Sequence, residues 1–345
     1  ARRTFFTDAL PTVLIPPTMF LMCFVGLWSY KILMTIVFQE KLIYLPYLPP
    51  FARSEKIDEY AKECKPVEWE EKRIRSLDGT RISLCVGRIP QGTPHGDDVN
   101  QNRRHVVLVY FQGNGASLPP RLPALSGVLR TLARGAGADA PEYTIVALSY
   151  RGFWTSKGKA SEKGIQLDAR AALAWVEETY HNHPDTRMIL WGQSLGAGVA
   201  ANLAAHHLEL AQQSILSKTN RAISGVILET PFISIKEMLL SLYPQKWLPY
   251  RYLWPFLRNH WDNDAALKSI ATKDGGKRFP IMIMQAAEDE VVPMGQADHL
   301  QHLCQELQLD VRRRDVPGAL HMDTTTKQSG RDAIVGFVKE VEEKR

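Results

Sequence analysis

Cysteines are few in this chain, and no pattern joins them. The 345 residues include four, at positions 23, 64, 85 and 304, and no Cys-x-x-Cys occurs. Isolated cysteines exclude a disulfide framework and a cysteine-based zinc site, and they favour a reducing compartment. No Asn-x-Ser/Thr acceptor is present either. That absence agrees with a domain that does not face the secretory lumen.

A concentrated basic surface is also missing. The net charge is +5, and the 42 Lys and Arg residues are interspersed with 37 Asp and Glu residues. Nucleic-acid interfaces usually show a basic stripe with interleaved aromatic residues. The sequence has no such stripe, so we expect no nucleic-acid partner. The hydrophobic content of 45% is that of a globular protein, and the length allows one large or two ordinary domains.

Charge is absent from residues 9–30. A bilayer span needs about 20 apolar residues. Pro17 suits the first position of a helix, so the pattern predicts a membrane helix near residues 17–38. Lys31 would then lie close enough to the helix end for its ammonium group to reach the membrane interface. We therefore predict that residues 1–45 form a single-pass membrane anchor.

Two alternatives to the anchor are a signal peptide and a buried core helix. No Ala-x-Ala-like cleavage site follows the apolar stretch, which disfavours the signal peptide. Basic residues flank both ends of the stretch, so the orientation is undecided. We expect a membrane location, with an endomembrane such as the endoplasmic reticulum favoured. Arg2 and Arg3, in a start with few acids, make a mitochondrial address the alternative.

After the anchor, the proline-rich and charged residues 46–67 predict a linker with one short helix. Residues 69–75 and 81–86 then alternate between polar and apolar, and Asp78-Gly79 lies between them. This pattern predicts a β-hairpin.

From His105 onward, short apolar runs alternate with helical patterns. Such alternation indicates a mostly parallel sheet with helices on both faces, which is an α/β fold with an antiparallel hairpin at its start. We assign residues 68–345 to this domain. The predicted strands are 106–111, 143–148, 188–191, 222–228, 281–286 and 311–316, and the predicted helices are 122–133, 162–180, 197–208, 295–307 and 332–343.

The alternation is interrupted at about residues 232–278, where we predict a small helical cap. Aromatic residues are crowded there, which is compatible with a packed lid and with an apolar acyl pocket or a surface that rests on a membrane. They are Phe232, Tyr243, Trp247, Tyr250, Tyr252, Trp254, Phe256 and Trp261.

A Gly-x-Ser-x-Gly pentapeptide joins a predicted strand to a predicted helix. It consists of Gly192-Gln193-Ser194-Leu195-Gly196. Strand, pentapeptide and helix in this order are typical of a nucleophile elbow, in which the serine lies on a strained turn. Ser194 is therefore the predicted nucleophile.

Further polar residues follow the ends of other predicted strands, where α/β sheets bind their ligands. The loop 112–116 follows one strand, and its backbone N–H groups could stabilise an oxyanion together with the N–H of Leu195. Asn114 is the favoured donor in this loop, and Gly115 is the alternative. Three acids, Glu288, Asp289 and Glu290, follow another strand, and their spacing does not choose among them.

His321 follows the last predicted strand. Among the ten histidines it alone combines this position with a place downstream of the acids. The order of serine, acid and histidine is that of an α/β-hydrolase triad. The pairs His181-x-His183 and His299-x-x-His302 lack carboxylates at convincing spacing, and no Gly-x-Gly-x-x-Gly occurs. We therefore expect no metal and no cofactor.

Together these segments resemble the α/β-hydrolase superfamily, and more narrowly its membrane-anchored ABHD-type serine hydrolases of the bud-emergence (BEM-like) branch. The resemblance covers about residues 68–340. It is carried by Tyr150-Arg151-Gly152, Ser156-x-Gly158-x-x-Ser161-Glu162-x-Gly164, Asp168, Gly192-x-Ser194-x-Gly196, Phe256-Leu257-Arg258-Asn259 with Trp261-Asp262-Asn263, Asp289-x-x-Val292-Pro293 and His321-x-Asp323-Thr324.

The resemblance implies that Asp289 is the triad acid, beside Ser194 and His321, and that Leu195 and Asn114 hold the oxyanion. Gln112 departs from the family pattern, because many relatives have histidine there. For Arg151 we favour a structural salt bridge over substrate contact.

The expected function is a membrane-anchored serine hydrolase that cleaves carboxylic ester or thioester bonds, with lipid or acylated substrates favoured. Its expected partners are the lipid bilayer and a small-molecule or acylated ester substrate. The alternatives are a catalytically weak membrane scaffold with a hydrolase fold, which Gln112 invites, and a serine peptidase or amidase.

Overall fold

The fold is built on one eight-stranded sheet. A computed structural model describes residues 11–90, 104–134, 137, 140–183, 185–212, 223–274 and 279–344. The strands lie in the order β1-β2-β4-β3-β5-β6-β7-β8. The two pairs that involve β2 are antiparallel, and the others are parallel. The strands are β1 Glu68–Arg75, β2 Arg81–Arg88, β3 His105–Phe111, β4 Glu142–Ser149, β5 Arg187–Gln193, β6 Ile223–Glu229, β7 Ile281–Ala286 and β8 Val311–Val316.

Helices cover both faces of the sheet, which confirms the predicted α/β architecture. One face packs against α4 and α10, and the other packs against α5, α6, α8 and α9. The helices are α1 Ile15–Val37, α2 Gln39–Tyr44, α3 Ala61–Cys64, α4 Leu122–Ala133, α5 Glu162–Thr179, α6 Leu195–Gln212, α7 Ile235–Leu242, α8 Asn263–Asp274, α9 Met294–Glu306 and α10 Gln328–Glu343.

Burial explains why the central strands are continuous apolar runs. Every residue of β3 and β7 is buried, because helices cover both of their faces. The exposed edge strand β1 has no fully buried residue and alternates between half-buried and exposed positions over most of its length. The strand predicted at 188–191 extends over the whole of β5, because its ladders to β3 and β6 continue through Gly192 and, with β6, through Gln193.

Helix α1 is the predicted apolar helix, two residues longer at its start than predicted. Pro16 and Pro17 lie in its first turn, where proline is tolerated because the N–H groups there have no intrahelical partner. Together with the preceding turn it spans Thr12–Val37, and none of the residues in its most apolar stretch is buried. By length and composition α1 could cross a membrane.

The segment at residues 46–67 has more order than the predicted linker. Besides α3 it contains two 3-10 turns, and Ala52 is buried. The Arg53 side chain donates to the Trp154 carbonyl at 3.0 Å, and the Trp154 indole N–H donates to the Glu55 carbonyl at 2.7 Å. This segment therefore packs onto the sheet domain, while the division of the chain at residues 45 and 67 stays a prediction.

The cap between β6 and β7 contains α7, two 3-10 turns and α8. Its aromatic residues differ in burial, and Tyr243 is half-buried. Phe232, Tyr250 and Trp261 are buried, whereas Trp247, Tyr252, Trp254 and Phe256 are exposed. Residues 1–10 of the predicted anchor, 222 of a predicted strand and 275–278 of the predicted cap lie outside the described residues, as do 91–103, 135–136, 138–139, 184, 213–221 and 345 of the predicted domain.

Candidate active site

Ser194 lies on a sharp turn between β5 and α6. Its φ of 52° falls in the left-handed region, which is strained for a residue with a side chain. A Cβ on Gly192 would lie 2.0 Å from the Gly196 carbonyl oxygen, and one on Gly196 would lie 1.9 Å from the Phe111 carbonyl oxygen. Only glycine fits at both positions. The pentapeptide therefore has the geometry of the predicted elbow.

A chain of hydrogen bonds runs from Ser194 to Asp289 through His321. The His321 Nε2 atom lies 2.9 Å from Ser194 Oγ, and its Nδ1 atom lies 2.9 Å from Asp289 Oδ2. Ser194 and His321 are buried, with 7% and 2% of their surfaces exposed. The structure thus brings together one residue from each of three predicted strand ends. This arrangement can transfer a proton away from the serine hydroxyl.

The Asp289 carboxylate is held by several donors besides His321. The N–H groups of Val291 and Val292 donate to its Oδ1 atom at 2.9 and 2.7 Å, and the Gln285 amide donates to its Oδ2 atom at 2.9 Å. Burial by itself would raise the pKa of Asp289, but the hydrogen bonds from His321 and from the two N–H groups outweigh burial and lower it. The carboxylate therefore stays ionised beside the imidazole.

The three neighbouring acids have separate contacts. Glu290 accepts a hydrogen bond from the backbone N–H of His321 at 2.9 Å, so it holds the loop after β8 that carries His321 (the histidine loop). The Glu288 side chain is exposed, and its backbone N–H donates to the Ala319 carbonyl at 3.0 Å. Only Asp289 of the three contacts the imidazole. Spacing gave no hint of the Glu290 contact, because it depends on the path of the loop after β8.

Two N–H groups of the loop after β3 are already used. Gly115 N–H donates to the Tyr44 carbonyl at 2.8 Å, and Ala116 N–H donates to the Leu48 carbonyl at 2.5 Å. Gly115, the alternative oxyanion donor, is therefore engaged elsewhere. The Asn114 N–H has no acceptor in the described part of the chain, and Asn114 lines the same cavity as Ser194.

The other predicted donor, Leu195, is the first residue of α6. The first N–H groups of a helix have no intrahelical acceptor, so this N–H is available to a ligand. Leu195 also lines the cavity with Asn114 and Ser194.

Glu229 is a buried carboxylate that motif analysis missed. Its side chain accepts hydrogen bonds from the Trp191 indole at 2.7 Å and from the Thr325 hydroxyl at 2.7 Å, as well as from Thr324. Its backbone carbonyl accepts the Ser194 N–H at 2.8 Å. Glu229 therefore connects the elbow to the loop that carries His321. The sequence signal that could have identified Glu229 is an acidic residue at the end of the apolar strand that follows the elbow.

Gln112, the departure from the family pattern, is fully buried. Its carbonyl accepts the Tyr150 hydroxyl at 2.8 Å, while its side-chain amide has no partner among the described residues. The amide makes no contact with the hydrogen-bond chain. The hydrogen bonds from Ser194 through His321 to Asp289 are intact although glutamine occupies position 112.

An apolar cavity of about 270 Å³ opens at Ser194. It lies between the cap, the loop after β3 and the end of the apolar helix. Its walls are Thr35, Gln39, Leu42, Ile43, Asn114, Ser194, Leu195, Phe232, Ile235, Met238, Leu239, Leu242, Tyr243, Leu257, Val291 and Val292.

Arg151 lies outside this cavity wall. Its guanidinium donates to Asp168 at 2.7 Å, to Asp78 at 2.7 Å and to Ser76 at 3.0 Å. Asp168 is a fully buried residue of α5 and Asp78 lies in the hairpin turn, so the two ion pairs of Arg151 connect the hairpin to α5. These contacts are those of a structural ion pair.

The described residues contain no group of three or more His, Cys, Asp or Glu side chains that could hold a metal. The His299 ring instead lies 3.0 Å from Asp264, and His302 is exposed.

Comparison with known proteins gives several relatives. The chain is 28% identical to the protein Bem46 of Schizosaccharomyces pombe over 237 residues, which are 68% of this chain and 67% of the relative. It is 26% identical to the α/β hydrolase domain-containing protein WAV2 of Arabidopsis thaliana, over 87% of each chain. No protein-family model matches the chain.

The chain is also 31% identical to the lysophosphatidylserine lipase ABHD12 of Danio rerio, over 55% of this chain and 44% of that protein. It thus spans less than half of this relative's length. Among solved structures, an α/β hydrolase from Vibrio vulnificus superposes with a TM-score of 0.59 at 16% identity, over 88% of this chain and 91% of that one. This likeness shows a shared fold.

Proposed function

We propose, on the premise that the chain is an α/β-hydrolase of the Bem46/ABHD branch, that it is a membrane-anchored serine hydrolase. Its substrates are carboxylic esters or thioesters of lipids or acylated molecules. The observation that carries the proposal is the hydrogen-bond chain from Ser194 through His321 to Asp289, placed at the wall of an apolar cavity.

In the proposed reaction, Ser194 Oγ attacks the carbonyl carbon of the substrate while His321 Nε2 takes the hydroxyl proton. Asp289 holds the Nδ1 side of the ring and stabilises the imidazolium cation. The tetrahedral oxyanion receives hydrogen bonds from the N–H groups of Leu195 and Asn114. Loss of one such donor typically raises the barrier by about 2.7–4 kcal/mol.

The tetrahedral intermediate then collapses. The bond from the carbonyl carbon to the leaving oxygen or sulfur breaks, and His321 gives its proton to that atom. A water molecule next attacks the acyl-enzyme while His321 takes one of its protons. Collapse of the second intermediate returns that proton to Ser194 Oγ and releases the carboxylic acid. No metal or cofactor takes part in these steps.

Two features support a lipid or acylated substrate. The cavity beside Ser194 is lined mainly by aliphatic and aromatic side chains, which accept an acyl chain in preference to a polar group. Helix α1 has the length and composition of a membrane span, which would hold the site at the surface of a bilayer. The name of the relative ABHD12 describes a lysophosphatidylserine lipase.

Covalent labelling with a fluorophosphonate tests the assignment of the nucleophile. The folded wild type and a Ser329→Ala control should label, because Ser329 is exposed on α10, while Ser194→Ala should not. Labelling that survives Ser194→Ala, or a folded wild type that does not label, would contradict the proposal.

A matched set of substrates separates the bond types. One fatty-acyl chain is presented as an oxygen ester, a thioester and a peptide amide. We expect turnover of one or both of the first two, and preferential cleavage of the amide would favour a peptidase or amidase instead. If Ser194→Ala supports cells that lack the protein as well as the wild type does, the non-catalytic scaffold would be favoured.

For the location we propose an endomembrane such as the endoplasmic reticulum, with mitochondria as the alternative. Fractionation with markers for both membranes tests this choice.

A further inference from the structure

We propose that the apolar helix and its extension form part of the acyl-chain site, so that the chain of a bilayer-resident ester reaches Ser194 alongside α1. This inference rests on the proposed function. It assigns to the anchor a role in substrate binding, beyond that of a tether.

The cavity walls come from the candidate membrane span with its extension and from the cap. Thr35 in the last turns of α1 and Leu42 and Ile43 in α2 form one wall. Helix α7 of the cap forms another part of the wall, with Met238 and Leu239 among its residues. Thr35 lies within the candidate membrane span, and Ser194 lines the same cavity. The cavity therefore extends from the nucleophile into the span.

The polar groups on the anchor side of the cavity are already engaged. The Gln39 amide donates to the carbonyls of Ile36 and Phe256, each at 3.0 Å, and its oxygen accepts the Arg258 N–H at 2.7 Å. The Thr35 hydroxyl donates to the Lys31 carbonyl at 2.9 Å. This wall thus offers a ligand mainly apolar surface. An acyl chain needs no polar partner and fits such a wall.

The size of the cavity suits a segment of an acyl chain. A volume of about 270 Å³ corresponds to about nine water molecules at about 30 Å³ each. A methylene group is of similar size, so the cavity accommodates a segment of about nine methylene groups of an acyl chain. The class of substrate is therefore a lipid ester whose cleaved acyl chain occupies the cavity.

Contacts between the anchor and the cap hold the two walls together. Arg258 of the cap pairs with Glu40 of α2 at 2.6 Å, and the Lys31 ammonium of α1 lies 5.4 Å from the centre of the Tyr250 ring. The same segment of the cap exposes Trp247 and Trp254. Exposed aromatic side chains of this kind favour the membrane–water interface. The anchor side of the cavity would thus lie at the level where the bilayer begins.

The test fills the cavity from each wall. Leu239→Trp fills it from the cap, and Thr35→Trp fills it within the span. Leu33→Trp is the matched control, because Leu33 is exposed on α1 and lies outside the cavity wall. The full chain is assayed in phosphatidylcholine vesicles with p-nitrophenyl palmitate and p-nitrophenyl acetate, which share a leaving group and differ in chain length.

We expect Leu239→Trp and Thr35→Trp each to lower the palmitate-to-acetate ratio of kcat/KM at least tenfold, and Leu33→Trp to leave it unchanged. An unchanged ratio in both filled variants would overturn the inference while the proposed function stands. A wild type that cleaves only acetate would overturn the inference and the lipid part of the proposed function, and would leave the serine-hydrolase assignment standing. An effect of Leu239→Trp without one of Thr35→Trp would refute entry alongside α1. A wild type that cleaves neither ester and does not label with fluorophosphonate would refute the proposed function as well.

Discussion

The backbone N–H of Gly115 donates a hydrogen bond of 2.8 Å to the carbonyl oxygen of Tyr44. Gly115 belongs to the loop that carries Asn114, and Tyr44 is the last residue of α2. The end of α2 therefore helps to shape the loop that would hold the oxyanion. It also engages the N–H of Gly115, which leaves Asn114 as the donor on that side.

The Tyr44 side chain strengthens this connection, and Tyr44→Phe should weaken it. The hydroxyl of Tyr44, which is fully buried, donates to Asn259 at 2.7 Å and accepts the Trp261 indole N–H at 3.0 Å. Its removal leaves a buried indole N–H unpaired, which costs about 1–3 kcal/mol of the free energy of unfolding. Thermal unfolding in detergent should show a lower Tm.

The matched control is Tyr47→Phe in the same segment. The Tyr47 hydroxyl makes one hydrogen bond of 3.3 Å to the Lys41 carbonyl, and the residue is exposed. Its loss should change stability by less than about 0.5 kcal/mol. Equal effects of the two substitutions would contradict the assigned role of Tyr44.

Three neighbouring acids should respond differently to replacement by their amides. Asp289→Asn should lower kcat about 10⁴-fold, because an amide cannot hold the imidazole in the tautomer that accepts the serine proton. Glu290→Gln keeps an oxygen that can accept the His321 N–H, and Glu288→Gln changes an exposed side chain. Both should retain activity within about tenfold. Esterase assays of the three variants decide the matter, and a larger loss for Glu290→Gln than for Asp289→Asn would refute the choice of acid.

The lowered pKa of Asp289 predicts a dependence of stability on pH. An ordinary aspartate titrates near pH 3.9. Because the folded state lowers the pKa of Asp289, its ionised form stabilises the fold fully above about that pH. This stabilisation is lost as the pH falls through the folded-state pKa.

Urea unfolding of the wild type and Asp289→Asn at pH 7 and at pH 3 measures this contribution. The advantage of the wild type in free energy of unfolding should be smaller at pH 3. A difference that is constant between the two pH values would argue against the stabilised carboxylate.

Arg151→Ala should destabilise the fold without acting on the chemistry. It leaves the buried carboxylate of Asp168 without its guanidinium, which costs about 3–5 kcal/mol. Arg75→Ala, at an exposed position in the hairpin, should cost less than about 0.5 kcal/mol. Folded Arg151→Ala should still label with fluorophosphonate. A folded variant that fails to label would indicate a direct role for Arg151 in the site.

Much of the architecture could be predicted because its signals are local. The buried strand β3 and helix α4 were recognisable from apolar runs and from helical periodicity. Boundaries at the elbow were less accurate, since Gly192 and Gln193 extend β5 through hydrogen bonds to neighbouring strands that are distant in the chain. The ordered packing of residues 46–67 was also missed. Its contacts, such as Arg53 with Trp154, join residues that no sequence pattern pairs.

The sequence by itself determined the alternation of strands and helices, the elbow at Ser194 and the charge-free helix. These features depend on hydrophobic period, on glycine and on composition, all of which are local. Only the tertiary structure decided which acid meets His321, which N–H remains free beside Ser194, and that Glu229 connects the elbow to the histidine loop. It also placed α1 and α2 in the cavity wall. Such choices depend on distances of a few ångströms between segments that are far apart in the chain, and only the packed fold sets those distances.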